Sequence, residues 1–410
     1  MCWALTRLVR LKRLFRRPPT GPVKSILFVK LVEQGSTVLA SQAFDLARDL
    51  VGREHLYFLV FERNRPILDL MDRFDGENVF TIRDGTFRHF VIDTLRALRR
   101  LRKLRIDATV DMEGFARASA VLAVLSGAKR RAGYYRYCSE APYRGRLLTH
   151  PLHYTFYEHC SRQFLALVKA LTVDGEQVPM LKAPVPADDV RPRPFVPEPH
   201  EEAAMRDLLA REAGREVGRP LVLLNPNASD LMPLRRWPDE RFVALGQRLL
   251  REYPDVTVAV TGAPDEQEKA EAITDEMRSG VEAKGRLICL AGKTTLRSLL
   301  VLDGLADVLV TNDSGPAHFA ALTDIDIVCL FGPETPVLYR PLSPRAHCLS
   351  SGLACSPCVS VLNHRDSPCR DNQCMQRISV DEVYDAVSAI LQRRRADGAP
   401  QRRVESRTTV

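Results

Sequence analysis

The chain has 410 residues, 45% of them hydrophobic and 27% charged, with a formal net charge of +8. That length predicts two domains rather than one core, and that composition excludes disordered, collagen-like and polytopic membrane chains, no apolar run approaching the roughly 20 residues of a spanning helix. The positive charge is concentrated at the ends: residues 1–20 carry Arg7, Arg10, Lys12, Arg13, Arg16 and Arg17 with no acid, and residues 393–410 carry six arginines against Asp397 and Glu405. The body is left slightly acidic, so no nucleic-acid partner is expected.

In residues 1–23, Ala4, Leu8, Leu11 and Phe15 recur at helical spacing, with Arg7, Arg10, Arg13 and Arg17 on the other side. This basic amphipathic leader fits a helix lying on an anionic membrane surface, with Trp3 at the interface. A solvated leader and an Arg-rich transit peptide are the alternatives; a secretory signal is excluded because charges interrupt the apolar stretch.

Residues 24–183 alternate strand and helix: strands at 26–29, 56–61, 79–82 and 108–111, and helices at 38–51, 65–73, 87–104 and 115–126. Between 184 and 200 lies a proline-rich linker with Pro184, Pro186, Pro192, Pro194, Pro197 and Pro199. The alternation resumes over 201–346, with strands at 221–224, 256–261, 287–290, 308–311 and 327–331. A Cys-rich segment (347–376), a helix (377–395) and a disordered tail (396–410) complete the chain. Strands alternating with helices predict an α/β fold of two Rossmann-like, doubly wound parallel sheets with a cleft between them.

The most informative motif is Asn312-Asp313-Ser314-Gly315-Pro316-Ala317-His318, between a strand and a helix, where backbone N–H groups can face an anion. Phe331-Gly332-Pro333 follows the next strand. Earlier come Leu224-Asn225-Pro226-Asn227-Ala228-Ser229 with Arg235-Arg236-Trp237-Pro238, and Thr261-Gly262-Ala263-Pro264-Asp265-Glu266. On these motifs the chain, over roughly residues 24–390, resembles glycosyltransferase family 9, the heptosyltransferases of lipopolysaccharide core biosynthesis. The resemblance implies a GT-B fold and a cytoplasmic, inverting transferase that requires no metal or other cofactor for catalysis. Its implied partners are a nucleotide-sugar donor such as ADP-heptose and a glycolipid or oligosaccharide acceptor; the basic leader adds a peripheral inner-membrane surface. It also implies that Ser229 and Arg235 contact the donor phosphates, that Glu266 contacts the nucleoside, and that Asp313, Ser314, Gly315 and His318 form the diphosphate and sugar pocket. A cationic side chain beside the departing diphosphate serves that chemistry independently.

Attack by an acceptor hydroxyl requires a base. Where the family carries Gly-Asp in its first loop, this chain has Gly35-Ser36. Glu33, three residues earlier, is the expected substitute, with Ser36 beside it. Asp111 or Glu113 as the base, and an inactive sugar-nucleotide-binding paralogue, are the other outcomes. Basic and aromatic residues between Lys129 and Arg146 suggest acceptor contacts at Arg131, Arg136 and Arg144. Cys355, Cys358, Cys369 and Cys374 have the composition of a structural zinc site; local disulfides and reduced packed thiols are the alternatives. Gly292-Lys293-Thr294 lacks the first glycine of a P-loop, and Asp324-Ile325-Asp326 reads as a turn rather than a metal pair.

Overall fold

The computed structural model describes residues 2–14, 21–135, 144, 146–185, 191–228, 232–363 and 365–396. Helix α1 (Cys2–Leu14) precedes β1 (Ile26–Val29), α2 (Gln34–Leu39), α3 (Ser41–Val51), β2 (Leu56–Phe61), α4 (Arg65–Met71), β3 (Val79–Ile82) and α5 (Phe87–Leu104). There follow β4 (Ala108–Asp111), α6 (Arg117–Leu125), β5 (Arg130–Tyr134), β6 (His150–Leu152) and α7 (Cys160–Ala170). The second half runs α8 (Pro199–Ala213), β7 (Leu221–Asn225), α9 (Asp239–Glu252), β8 (Thr257–Val260), α10 (Gln267–Ser279), β9 (Leu287–Cys289) and α11 (Leu296–Leu305). It closes with β10 (Val308–Asn312), α12 (Gly315–Ala320), β11 (Asp326–Phe331), α13 (Pro336–Tyr339), β12 (Ala346–Ser350), α14 (Gln373–Gln376) and α15 (Val380–Ala396).

The strands form two parallel six-stranded sheets, β3-β2-β1-β4-β5-β6 and β9-β8-β7-β10-β11-β12, which share one topology. Both central strands are buried throughout, as strands covered on both faces must be. In the first sheet Leu27 and Val29 pack with Ala97, Leu98 and Leu101 of α5 and Leu122 of α6. Ile26 and Phe28 face the other way, into a cluster with Phe44 and Phe164 that continues to Leu223, Ile327 and Phe331 of the second sheet. The two halves therefore share one apolar seam.

Several elements depart from expectation. The loop after β1 turns into helix α2 at Gln34 rather than Val38. Strands β5, β6 and β12 and helix α7 were not expected: β5 hides its arginines, β6 is three residues long with Pro151 inside, and β12 is a half-exposed edge. The leader is helical as expected, but Cys2, with Leu5 and Val9, seats it on Ala120, Val121 and Leu147. Leu8 and Leu11 stay exposed at 56% and 55%, while Phe15 and Arg17 lie outside the described residues. The basic C-terminal end is partly neutralised, because Arg394 Nε lies 2.7 Å from Asp326 and Arg395 Nη2 2.9 Å from Asp255. Asp326 is consequently buried at the start of β11 rather than placed in an open turn. Among the described residues no helix is long and apolar enough to cross a membrane.

Candidate active site

In open parallel sheets ligands bind beyond the carboxyl ends of the strands, where the strand order reverses. Those points are β1/β4 and β7/β10, and the loops leaving these strands build the cleft. On the first-domain side a cavity of about 840 Å³ is lined by Lys30, Glu33, Ser36, Glu113, Arg117 and Tyr339 among others. Glu33 caps α2 with φ 71°, a left-handed conformation costing a non-glycine residue roughly 1–3 kcal/mol and concentrated at functional sites. Ser36 Oγ donates to Glu33 Oε2 at 3.2 Å and to the Glu33 carbonyl at 3.1 Å. Ser36 therefore serves the carboxylate instead of replacing it.

The two other carboxylates considered for the base are committed to the fold. Glu113 Oε1 accepts the N–H groups of Leu31 (2.6 Å) and Val32 (3.2 Å), holding the loop after β1 in place. Asp111 is fully buried, accepts from Ser119 Oγ at 3.0 Å, and is ion-paired to Arg144. Burial pushes its carboxyl up to about 6, against the pull of Arg144.

On the second-domain side Asn312, at the end of β10, fixes the loop after β7. Its amide donates to Pro226 O and Asn227 O (3.1 and 3.2 Å), and its carbonyl accepts from Trp237 N (2.9 Å). Arg236 donates to Ala228 O, leaving Arg235 directed toward Asp313, Nη1 to Oδ2 3.8 Å. Arg235 Nε, Asp313 Oδ2 and His318 Nδ1 are all buried with no hydrogen-bond partner among the described residues. Such orphaned groups are costly, and their convergence marks a polar ligand site. Burial, with His159 and Arg235 nearby, lowers the His318 imidazole to about 3, so it is neutral. Burial raises the Asp313 and Glu334 carboxyls, with Arg235 opposing. Helix α12 has only six residues, which leaves Arg235 as the cation facing this pocket. Glu266 accepts from Ala263 N at 2.8 Å, capping the turn before α10, and is half-buried.

The two walls meet. A Cβ on Gly35 would lie 2.6 Å from His318 Cδ2 and 3.3 Å from Gly315 Cα, so only glycine permits this approach. A second bridge comes from the Cys-rich segment: Arg365 is ion-paired with Glu33 and lies 3.7 Å from Glu334 Oε1. The segment is anchored where Cys358 N and Val359 N donate to Pro333 O, and Val361 abuts Gly114. Lys30, buried over the Phe164 ring at 5.9 Å, also faces the cavity; burial lowers its ammonium, opposed by Glu113. Sequence reasoning missed Lys30, Glu334 and Arg365. Lys30 had the signal of a strand-end position, whereas Arg365 had none.

Other expectations are corrected. Arg131 and Arg144 are not free to bind an acceptor. Arg131 donates to Leu147 O and Ala128 O, both at 2.6 Å, and Arg144, 1% exposed, is enclosed by Asp111, Ser119, Ala116 O and Tyr134 O. A guanidinium sunk beneath the sheet edge must satisfy its donors internally, which consumes the groups a ligand would need. Arg136 and Ser229 lie outside the described residues. The four cysteines do not assemble into a zinc tetrad. Cys355 is exposed, Cys374 is buried in the second core, Cys358 Sγ lies 3.4 Å from Ser367 Oγ, and Cys369 Sγ donates to Asp371 at 3.4 Å. Among the described residues no group of three or more His, Cys, Asp or Glu is arranged to hold a metal.

Two like-ordered sheets facing across this cleft define the GT-B architecture. Residues 94–367 match the family model of glycosyltransferase family 9 (heptosyltransferase), and the chain belongs to that family. It is 29% identical over 185 residues to lipooligosaccharide heptosyltransferase 2 of Haemophilus influenzae, covering 44% of this chain and 48% of that one. It is 31% identical over 156 residues to lipopolysaccharide heptosyltransferase 2 of Salmonella typhimurium, covering 38% and 43%. The match thus spans about half the length of these curated relatives. The fold is similar to that of Escherichia coli ADP-heptose lipopolysaccharide heptosyltransferase II, with a TM-score of 0.67 at 19% identity over 90% of this chain and 99% of that one.

Proposed function

We propose that the protein is an inverting, metal-independent glycosyltransferase that moves a heptose from a nucleotide-diphosphate donor, ADP-heptose, to a lipopolysaccharide-core or related glycolipid acceptor. The reaction is assigned to the cytoplasmic face of the membrane that carries the acceptor. The observation that supports this reading is the meeting of Glu33 and Ser36 on one wall with the unpartnered Arg235, Asp313 and His318 atoms on the other, across the Gly35 contact.

In this scheme the acceptor hydroxyl gives its proton to Glu33 as its oxygen attacks the anomeric carbon. The bond from that carbon to the phosphate oxygen breaks on the opposite face, and the electron pair leaves with the diphosphate beside Arg235. Neutral His318 donates a hydrogen bond to the donor and brings no competing charge. Arg365 holds Glu33 in its left-handed conformation.

Thermal unfolding with ADP, UDP, GDP and CDP, each with and without chelator, tests the donor half. At about 100 times its dissociation constant a ligand adds about 2.7 kcal/mol. The expected result is a chelator-insensitive rise with ADP; a rise only with a divalent cation present overturns the metal-independent scheme.

A further inference from the structure

Among the described residues helix α5 lines no part of the cleft cavity, and nothing packs on its outward face. Arg88, Ile92, Leu95, Arg99 and Lys103 follow one another at spacings of four, three, four and four. They form one row opposite Ala97, Leu98 and Leu101, which face the sheet. Ile92 and Leu95, in the middle of the row, are 37% and 47% exposed. Residues 87–105 carry seven Lys or Arg against one acid, Asp93. That acid is buried and already paired with Arg83 (2.7 Å) and Arg96 (3.2 Å). Arg88, Arg99 and Lys103 make no ion pair among the described residues.

Helix α1 extends this surface. It packs on α6, which lies on the same face of the sheet as α5. Leu125 of α6 touches both layers, and Arg102 of α5 donates to its carbonyl at 2.8 Å. The outward side of α1 presents Leu8 and Leu11, both more than half exposed. Exposed aliphatic side chains framed by Lys and Arg on a helix suit the boundary between anionic headgroups and acyl chains. Single-stranded nucleic-acid surfaces instead stack bases on aromatic rings, and none stands in the row.

We propose that the face formed by the α5 row and the outer side of α1 docks on an anionic phospholipid bilayer. Because α6 begins at Arg117, which lines the cleft cavity, docking holds the cavity beside the headgroups, where a lipid-borne acceptor lies. The docking itself does not depend on the transferase reading.

The test is vesicle flotation of the full chain, which requires no turnover, so its failure is distinct from failure of catalysis. Wild type is expected to float with phosphatidylcholine–phosphatidylglycerol vesicles, less so as salt rises, and to stay behind with phosphatidylcholine alone. Each basic residue near an anionic surface contributes roughly fivefold to partition, so Arg88→Gln/Arg99→Gln/Lys103→Gln should weaken it about a hundredfold. Ile92→Ser/Leu95→Ser should weaken it at least about tenfold, and both variants should keep the wild-type melting temperature because the changed side chains are exposed. Leu8→Ser/Leu11→Ser should weaken binding as well, since both side chains lie on the docking face. Three results overturn the proposal: wild type failing to bind anionic vesicles, full binding by the α5 variants, or α5-dependent binding to single-stranded RNA without binding to vesicles.

Discussion

Replacing Glu33 with Gln tests the assignment of the base. Glutamine keeps the side-chain length and an oxygen to accept the Ser36 hydroxyl at 3.2 Å, but it cannot take a proton from an acceptor at neutral pH. Loss of a positioned general base costs about 10²–10⁴-fold, and that loss should fall on kcat. Donor affinity should stay within about threefold, because Arg235, Asp313 and His318 on the opposite wall keep their places and a uniform binding loss has a different kinetic signature. The ion pair with Arg365 is lost too. With the partners 31% and 29% exposed, solvent screening limits its worth to about 1 kcal/mol, a melting shift of about 2–4 °C or less. The assay is ADP release in the presence of acceptor, with donor affinity measured separately by calorimetry. Ser36→Asp added to Glu33→Gln should recover part of the rate, since position 36 lies beside the lost carboxylate. Retention of more than about a third of kcat would refute the reasoning; equal loss of kcat and donor affinity would indicate loop damage instead.

Arg235→Ala should weaken binding of the nucleoside diphosphate by about 10–100-fold, the cost of losing a charge-assisted contact in a buried site, read by calorimetry. Arg144→Leu should destabilise the fold by about 3–5 kcal/mol in denaturant titration, because it leaves Asp111 buried without its cation; normal stability with lost acceptor binding would return Arg144 to a ligand role. Asp303, on α11, is 1% exposed and both its oxygens lack a partner among the described residues, and burial raises its carboxyl well above the usual range. A raised acid keeps its proton in the folded state while the unfolded chain ionises, so its stabilisation is full below about pH 4 and fades as pH rises toward its folded value. Asp303→Asn should therefore flatten the pH dependence of the melting temperature and raise stability at neutral pH by about 1–3 kcal/mol.

The sheets were legible because β1, β7 and β10 are continuous apolar runs and the helices between them are amphipathic. Strand β5 was not, because Arg130 and Arg131 are buried in it by pairing with Asp107 and with backbone carbonyls, and hydropathy cannot anticipate such pairing. The same blindness made Arg131 and Arg144 look like acceptor contacts. In the site, the resemblance of the strand-to-helix motifs to the family implied Arg235, Asp313 and His318, and the missing loop carboxylate pointed to Glu33. What could not be read was the arrival of Arg365 from a segment more than three hundred residues away in sequence, since a long-range ion pair leaves no local pattern. Nor does the cysteine composition, which left zinc, disulfides and packed thiols open, announce that the segment packs on the Phe331-Gly332-Pro333 loop and delivers an arginine.

In the proposed scheme Glu33 on the first domain acts as base and Arg235, Asp313 and His318 on the second hold the diphosphate, the two meeting through the Gly35 contact, with the acceptor in the cavity beside Glu33. Incubation of the full chain with ADP-heptose and a deacylated lipopolysaccharide-core acceptor, followed by mass spectrometry of the acceptor, tests that claim most directly. The account predicts acceptor heavier by one heptose, formed in step with free ADP and with chelator present. Tight donor binding with no gain in acceptor mass would contradict it and leave a sugar-nucleotide-binding protein in its place.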